Sequence, residues 1–146
     1  MPTVWTVGYE KLLPGALVAE LEAVGVRRVI DVRFRPQSRR PGMSKTRLGE
    51  LLASHGIAYE HRRELGTPPD LRALFRANRT AEARLAYRQH VEREAPEALD
   101  ELAAELDGAP PTALLCLEAE PEGCHRRVIT EALGARLGDA LRVVDL

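Results

Sequence analysis

Lysine is almost missing from this chain of 146 residues: Lys11 and Lys45 are the only two. Aromatic residues are scarce as well, at 4%, too few for an extended surface on which successive bases could stack. Net charge is −1, so no whole-molecule field draws in a polyanion. No apolar run approaches the roughly 18–20 residues of a membrane span. Two cysteines, Cys116 and Cys124, are too few for a disulfide scaffold and suit a reduced compartment. The opening Met1-Pro2-Thr3-Val4-Trp5 has neither the charged nor the apolar region of a signal peptide. The expectation is a cytoplasmic location. Missing too are the nucleophile-elbow glycine pattern, the phosphate-binding Gly-Lys-Ser/Thr loop and the dinucleotide glycine fingerprint.

What is present reads as one domain over 1–146, long enough to bury a core without a metal or disulfide staple. Thr3 to Val7, Arg28 to Val32, Ile57 to His61, Thr112 to Leu117 and Leu141 to Val144 have the β-branched and apolar character of strands. Helical spacing lies between them. One helix opens at Pro14 with Leu17, Leu21 and Val24. Another follows Ser44 or Thr46 and ends at Gly56. A helical stretch over 70–106 is capped by Asp70 and turns Leu85 and Val91 inward. A last helix starts at Cys124. Alternation of this kind predicts an α/β fold: a single-domain, mostly parallel sheet of about five strands with helices on both faces.

In such sheets ligands sit beyond the carboxyl ends of the strands. Four strand ends carry polar residues that look unlike surface decoration. Tyr9 follows the first. Asp31, Arg33 and Arg35 follow the second. His61 follows the third. Cys116, Glu118 and Cys124-His125-Arg126 follow the fourth. The second is the richest. From Val32 to Gly49 the chain carries Arg33, Arg35, Arg39, Arg40, Lys45 and Arg47 and no acid. Pro36, Pro41 and Gly42 stiffen it. Arginine forks match phosphate or carboxylate oxygens, and Ser38 and Ser44 add hydroxyl donors. The plain alternative is a solvated loop whose arginines pair internally. Asp31 and Arg33, two apart on one side of a strand, could be such a pair.

Cys124-His125-Arg126 opens a helix, where free amides favour an anion or a thiolate. An anion cradle closed by Arg126, an activated thiol beside His125 and a buried structural Cys124 are all compatible with it. Cys116, Glu118, Cys124 and His125 match no paired-cysteine zinc spacing. No metal and no cofactor are expected.

Taken together these segments resemble the family catalogued as domain of unknown function 488. The resemblance rests on Thr6-Val7-Gly8-Tyr9-Glu10, Asp31-Val32-Arg33 and the run Pro36 to Lys45. Tyr59 with Leu65-Gly66, Leu115-Cys116-Leu117-Glu118 and Cys124-His125-Arg126 complete it. Where the family pattern carries another glycine, this chain has Thr67-Pro68-Pro69, so a different local turn is expected. The resemblance implies a compact α/β domain and no established activity.

The expectation is therefore a small enzyme that holds an anionic, phosphate-bearing small molecule, a nucleotide being one candidate. Asp31, Glu118 and His125 are the candidates for proton work. Tyr9, Arg33, Arg35, Ser38, Arg39, Lys45, His61, Cys116, Cys124 and Arg126 are the candidates for ligand contact. Two alternatives stay open. One is a nucleic-acid-binding module that uses the basic loop over 33–47, with Tyr9 or Tyr59 stacking on a base. The other is a partner-binding regulatory domain without catalysis, in which no cavity should separate the strand-end residues.

Overall fold

The structure, a computed structural model, describes residues 2–146, with only the backbone of Glu122 and Asp139. Five strands alternate with six helices. In chain order they are β1 (Thr3–Gly8), α1 (Pro14–Ala23), β2 (Arg28–Asp31), α2 (Lys45–Ser54) and β3 (Ala58–His61). Next come α3 (Pro69–Arg76), α4 (Thr80–Glu94), α5 (Pro96–Leu106), β4 (Thr112–Cys116), α6 (His125–Leu137) and β5 (Arg142–Asp145). The sheet is wholly parallel in the order β3-β2-β4-β1-β5. The α/β expectation is met.

Strand alternation divides the core between two faces. Val7, Val29, Ala113 and Leu115 meet Leu17, Leu21, Leu48 and Leu52 of α1 and α2. Val4, Ile30, Leu114 and Cys116 meet Tyr87, Leu99, Leu102, Val128 and Ile129 of α4, α5 and α6. Covered on both sides, central β4 is buried at all five positions, as parallel strands require. Each of these aliphatic side chains contributes about 1.5–3 kcal/mol on burial.

Three local expectations change. Leu85 is 62% exposed on α4, because Ala83, Tyr87 and Val91 carry the buried stripe of that helix. Asp70 lies in the first turn of α3 while Pro68 occupies its cap position; Pro69, fixed in φ, starts the helix itself. The last strand begins at Arg142 because Gly138–Ala140 forms a short 3-10 turn that runs into Leu141. Among the described residues no helix is long and apolar enough to cross a membrane.

Register sets the site. Gly8 pairs with Cys116, and Asp31 pairs with both Leu115 and His61. The four polar strand ends therefore stand in one row. The chain leaves β1 and β2 towards α1 and α2 on one face, and leaves β4 towards α6 on the other. A crevice opens where neighbouring strands send their connections to opposite faces.

Candidate functional site

Asp31 is the buried hub of the row. Its carboxylate accepts hydrogen bonds from the Arg33 amide at 3.1 Å, from Arg33 Nε at 2.9 Å and from Arg33 Nη2 at 2.7 Å. The Tyr59 hydroxyl donates to Oδ2, the oxygen that Arg33 Nη2 also reaches. Arg33 spends Nη1 on the Tyr9 hydroxyl at 3.2 Å and the Met43 carbonyl at 2.7 Å. Burial alone would lower Arg33, but the bonds and charge of Asp31 outweigh it and hold the guanidinium firmly protonated. Burial, reinforced by Asp31, raises Tyr59 and keeps its phenol a donor. The network satisfies its own charges. It fixes the loop after β2, the internal pairing weighed as the plain alternative for Asp31 and Arg33. Tyr9 and Arg33 still line the cleft above it.

The basic loop is folded onto itself. The Ser38 amide donates to Ser44 Oγ at 3.0 Å, and Ser44 Oγ donates back to the Ser38 carbonyl at 3.2 Å. Ser38 Oγ accepts from the Arg40 amide at 3.1 Å. Both serines hold the loop, and Ser44 stands before α2 without a side-chain cap bond. Arg40 donates to the carbonyls of Tyr9 and Leu12, each at 2.6 Å, and to that of Glu10. It clamps the β1–α1 connection. Arg35, Arg39 and Lys45 remain exposed, and none of them forms an ion pair among the described residues. His61 donates through Nε2 to the Arg33 carbonyl at 2.6 Å. Arg62, next in the chain, is taken by Glu105 and Glu60.

Beyond β4 the chain returns to α6 under the control of Arg126, which is 0% exposed. Its Nη1 donates to Cys116 Sγ at 3.0 Å and to the Glu118 carbonyl, Nη2 to the Ala119 carbonyl at 2.9 Å, and Nε to Thr6 Oγ1 at 3.2 Å. Among the described residues no carboxylate pairs with it, and burial lowers its proton affinity. Gly8 makes this fit possible. A Cβ there would stand 1.6 Å from the Glu118 oxygen and 2.6 Å from Arg126 Nη1. Gly66 does the same for the loop after β2, where a Cβ would meet the Phe34 backbone at 2.4 Å. Both glycines lie in the segments that carried the family resemblance.

Cys124 caps α6, its sulfur accepting from the Arg126 amide at 3.5 Å. The cysteines, expected to be free, are joined as a disulfide. Their Cα atoms are 7.7 Å apart. His125 is buried and pushed down to about 4, chiefly by desolvation, so its ring is neutral. Its Nε2 lies 2.7 Å from the Val32 carbonyl, which can only accept. The proton is therefore on Nε2, and the Nδ1 lone pair faces Cys124 Sγ at 3.6 Å. Ligand atoms of Cys116, Glu118 and Cys124 lie within 4.8 Å of one another. Arg126, however, already places a cation on one of those sulfurs.

These groups surround a cleft. Tyr9, Arg33, Arg35, Glu118 and His125 line it together with both cysteines. Its deep part is small, about 30 Å³, room for a water or one small group. Two broader basins flank it and share Phe34 and Arg35 with it. One, of about 180 Å³, also shares Arg72 with the deep part and adds Arg76; the other, of about 500 Å³, adds Lys45, His61 and Arg63. Asp31, Ser38, Arg39 and Arg126 line none of the three.

Several lining residues escaped the sequence reading. Arg72 and Arg76 stand one turn apart on α3, a spacing that could have marked a cationic face. Thr67, in the Thr67-Pro68-Pro69 segment that departs from the family pattern, lines the deep part. It is 5% exposed, and its hydroxyl has no hydrogen-bond partner among the described residues.

The family model described as "Domain of unknown function DUF488" matches residues 15–133. Neither a curated protein nor a solved structure matches the chain.

Proposed function

The chain belongs to the DUF488 family, and from that premise we propose that the strand-end cleft is the active site of a small enzyme whose substrate carries an anionic, phosphate-like group. The observation that carries this reading is Thr67: it lines a cleft bordered by Arg35 and Arg72, and its buried hydroxyl has no hydrogen-bond partner among the described residues. Leaving such a group unbonded costs about 1–3 kcal/mol, and an anion oxygen would satisfy it. Among the described residues Arg35 and Arg72 have no ion pair to give up. Each can turn its fork to the same group.

The deep part admits a head group, not a whole nucleotide. The rest of the ligand would lie over Phe34 in a flanking basin. Glu118 is the carboxylate lining the cleft and the candidate for proton transfer. His125, neutral and tied to the Val32 carbonyl, offers a lone pair at Nδ1. Arg33 and Asp31 support the floor.

A second reading has one observation in its favour. Arg76, Arg72, Arg35, Arg63 and Lys45 border adjoining basins, a row that a nucleic-acid backbone could follow. A thermal-shift series separates the two. Inorganic phosphate, sugar phosphates, nucleotides and short oligonucleotides are compared at low and high salt. Stabilisation by a small phosphate compound that survives salt and disappears in Thr67→Val supports the enzyme reading. Stabilisation by oligonucleotides alone, lost steeply with salt, supports the second. No shift with any of them overturns both.

A further inference from the structure

We propose that Cys116 and Cys124 are a redox-active pair: in the dithiol form the protein reduces an anionic disulfide, and the joined cysteines of the structure are the oxidised product. The pair rests on its own geometry. Only the negative charge assigned to the substrate rests on the reading of the cleft given above.

Three observations converge. Cys116 and Cys124 both line the cleft, beneath its surface at 1% exposure each. Arg126 Nη1 lies 3.0 Å from Cys116 Sγ, and among the described residues no carboxylate forms an ion pair with it. A buried cation of that kind favours a thiolate on Cys116 and so stabilises the dithiol state. Cys124 caps α6 and accepts from the Arg126 amide, so the helix N-terminus favours a thiolate there as well.

Cys124 is the attacking sulfur. In the joined pair Cys124 Sγ lies 3.6 Å from His125 Nδ1, within reach of an S–H donated in the dithiol, and the imidazole is held by the Val32 carbonyl. Because His125 stays neutral, it positions the sulfur and does not store the proton, which leaves to water through the cleft. The Cys124 thiolate attacks one sulfur of the substrate disulfide. A bond forms between Cys124 Sγ and that sulfur, the substrate S–S bond breaks, and the departing thiolate takes a proton from water. The Cys116 thiolate then attacks Cys124 Sγ. The Cys116–Cys124 bond forms, the mixed disulfide breaks, and the second half of the substrate leaves as a thiolate that water protonates. The substrate gains two electrons and the protein loses two. A dithiol donor returns the protein to its starting state by the reverse exchange.

Glutathione, whose disulfide is anionic, serves as the probe. The protein is equilibrated in mixtures of reduced and oxidised glutathione, its thiols are trapped with a maleimide, and intact mass is read. The expected result is two adducts in reducing mixtures and none in oxidising ones. In oxidised glutathione, Cys116→Ser accumulates one glutathione on Cys124, because the second attack is missing, while Cys124→Ser accumulates none. A pair that stays unlabelled in an excess of reduced glutathione is a structural bridge and overturns the proposal. Thiols that never join in oxidised glutathione overturn it too. So does a reduced wild type that takes up one zinc ion with both thiols protected from the label. A parallel assay compares glutathione disulfide with the cationic disulfide cystamine. At least a tenfold preference for glutathione is expected, shrinking with salt. Reduction of both at equal rates leaves the redox pair standing and overturns the assignment of an anionic substrate.

Discussion

Two arginines are buried at neighbouring strand ends, and they are held in opposite ways. Arg33, 4% exposed, faces the Asp31 carboxylate with a forked contact. Arg126, 0% exposed, faces carbonyl oxygens, a threonine hydroxyl and a cysteine sulfur, and no carboxylate. Their electrostatics diverge accordingly. Asp31 outweighs desolvation and raises Arg33, while desolvation prevails at Arg126 and lowers it. The first positive charge is cancelled where it stands and serves the scaffold. The second is left over beside Cys116. Residue type alone therefore does not say what a buried arginine does; the partner it is given does.

Removing the partner should break this contrast most sharply. In Asp31→Ala the buried Arg33 becomes as unneutralised as Arg126, but in a pocket built for an ion pair. Loss of one member of a buried pair costs about 3–5 kcal/mol. Asp145, the carboxylate whose charge most favours protonated Arg126, is exposed, pairs with Arg127 at 3.3 Å and accepts a hydrogen bond from the buried Thr6 hydroxyl. Asp145→Ala should cost less than Asp31→Ala, about 1–2 kcal/mol. Urea denaturation of both variants measures the difference. Equal costs would mean that the two arginines depend on carboxylates alike.

His125 packs between the two systems, its Nε2 on the loop after β2 and its Nδ1 on Cys124. It should give the next largest effect. Burial takes it from 6.5 to about 4. The unfolded chain accepts a proton below pH 6.5 that the folded protein refuses until about pH 4. In that window the unfolded state binds more protons, so stability rises with pH. The contribution is complete above pH 6.5 and is lost as the pH falls towards 4, about 3 kcal/mol in all. Glu105 and Glu92 are lowered by Arg62 and Arg136, so their contribution disappears only below the ordinary glutamate range. Denaturation midpoints taken from pH 8 down to pH 4 should bend first near pH 6.5, and His125→Asn should remove that bend.

Much of the fold, and the clustering of the polar strand ends at one edge, could be read from the residues, and the reason is local. Apolar runs ending in Gly8, Asp31, His61 and Cys116 mark strands, and a parallel sheet brings their carboxyl ends to one side whatever their order. The partner of each charge could not be read, because contacts distant in sequence decide it. Arg40 looks like Arg39 in the chain, yet it alone reaches carbonyls near Tyr9, about thirty residues back. Thr67 looks like any residue beside prolines until Phe34 and α3 enclose it. Arg72 and Arg76 have the spacing of an ordinary solvated helix face. The cysteines, eight apart, fit no pattern from which a bridge follows.

A smaller change tests the Asp31 side of the contrast without disturbing its charge. Tyr59→Phe removes one donor from a carboxylate that keeps Arg33. A hydrogen bond to a charged group contributes about 1.5–3 kcal/mol, and because Tyr59 is only half-buried a loss at the lower end is expected. A cost approaching that of Asp31→Ala would show the phenol, not the guanidinium, to be the main partner.

The smallest effect on stability should come from exposed Arg35 and half-buried Arg72, which are the reverse of both buried arginines. Arg35 reaches from the loop after β2 and Arg72 from α3, and neither forms an ion pair among the described residues. Arg35→Ala and Arg72→Ala should each leave the denaturation midpoint within about 0.5 kcal/mol of the parent. Affinity for a phosphate-bearing ligand should nevertheless fall about tenfold with each, a loss of roughly 1.4 kcal/mol. The double variant should lose close to the sum if each fork holds a different oxygen, and less if the two share one. Charge that is free to meet a ligand contributes little to the fold, and charge bound into the fold is not free to meet a ligand. A marked loss of stability in Arg35→Ala would move that arginine into the class of Arg33 and leave Arg72 as the cation lining the deep part of the cleft without structural duty.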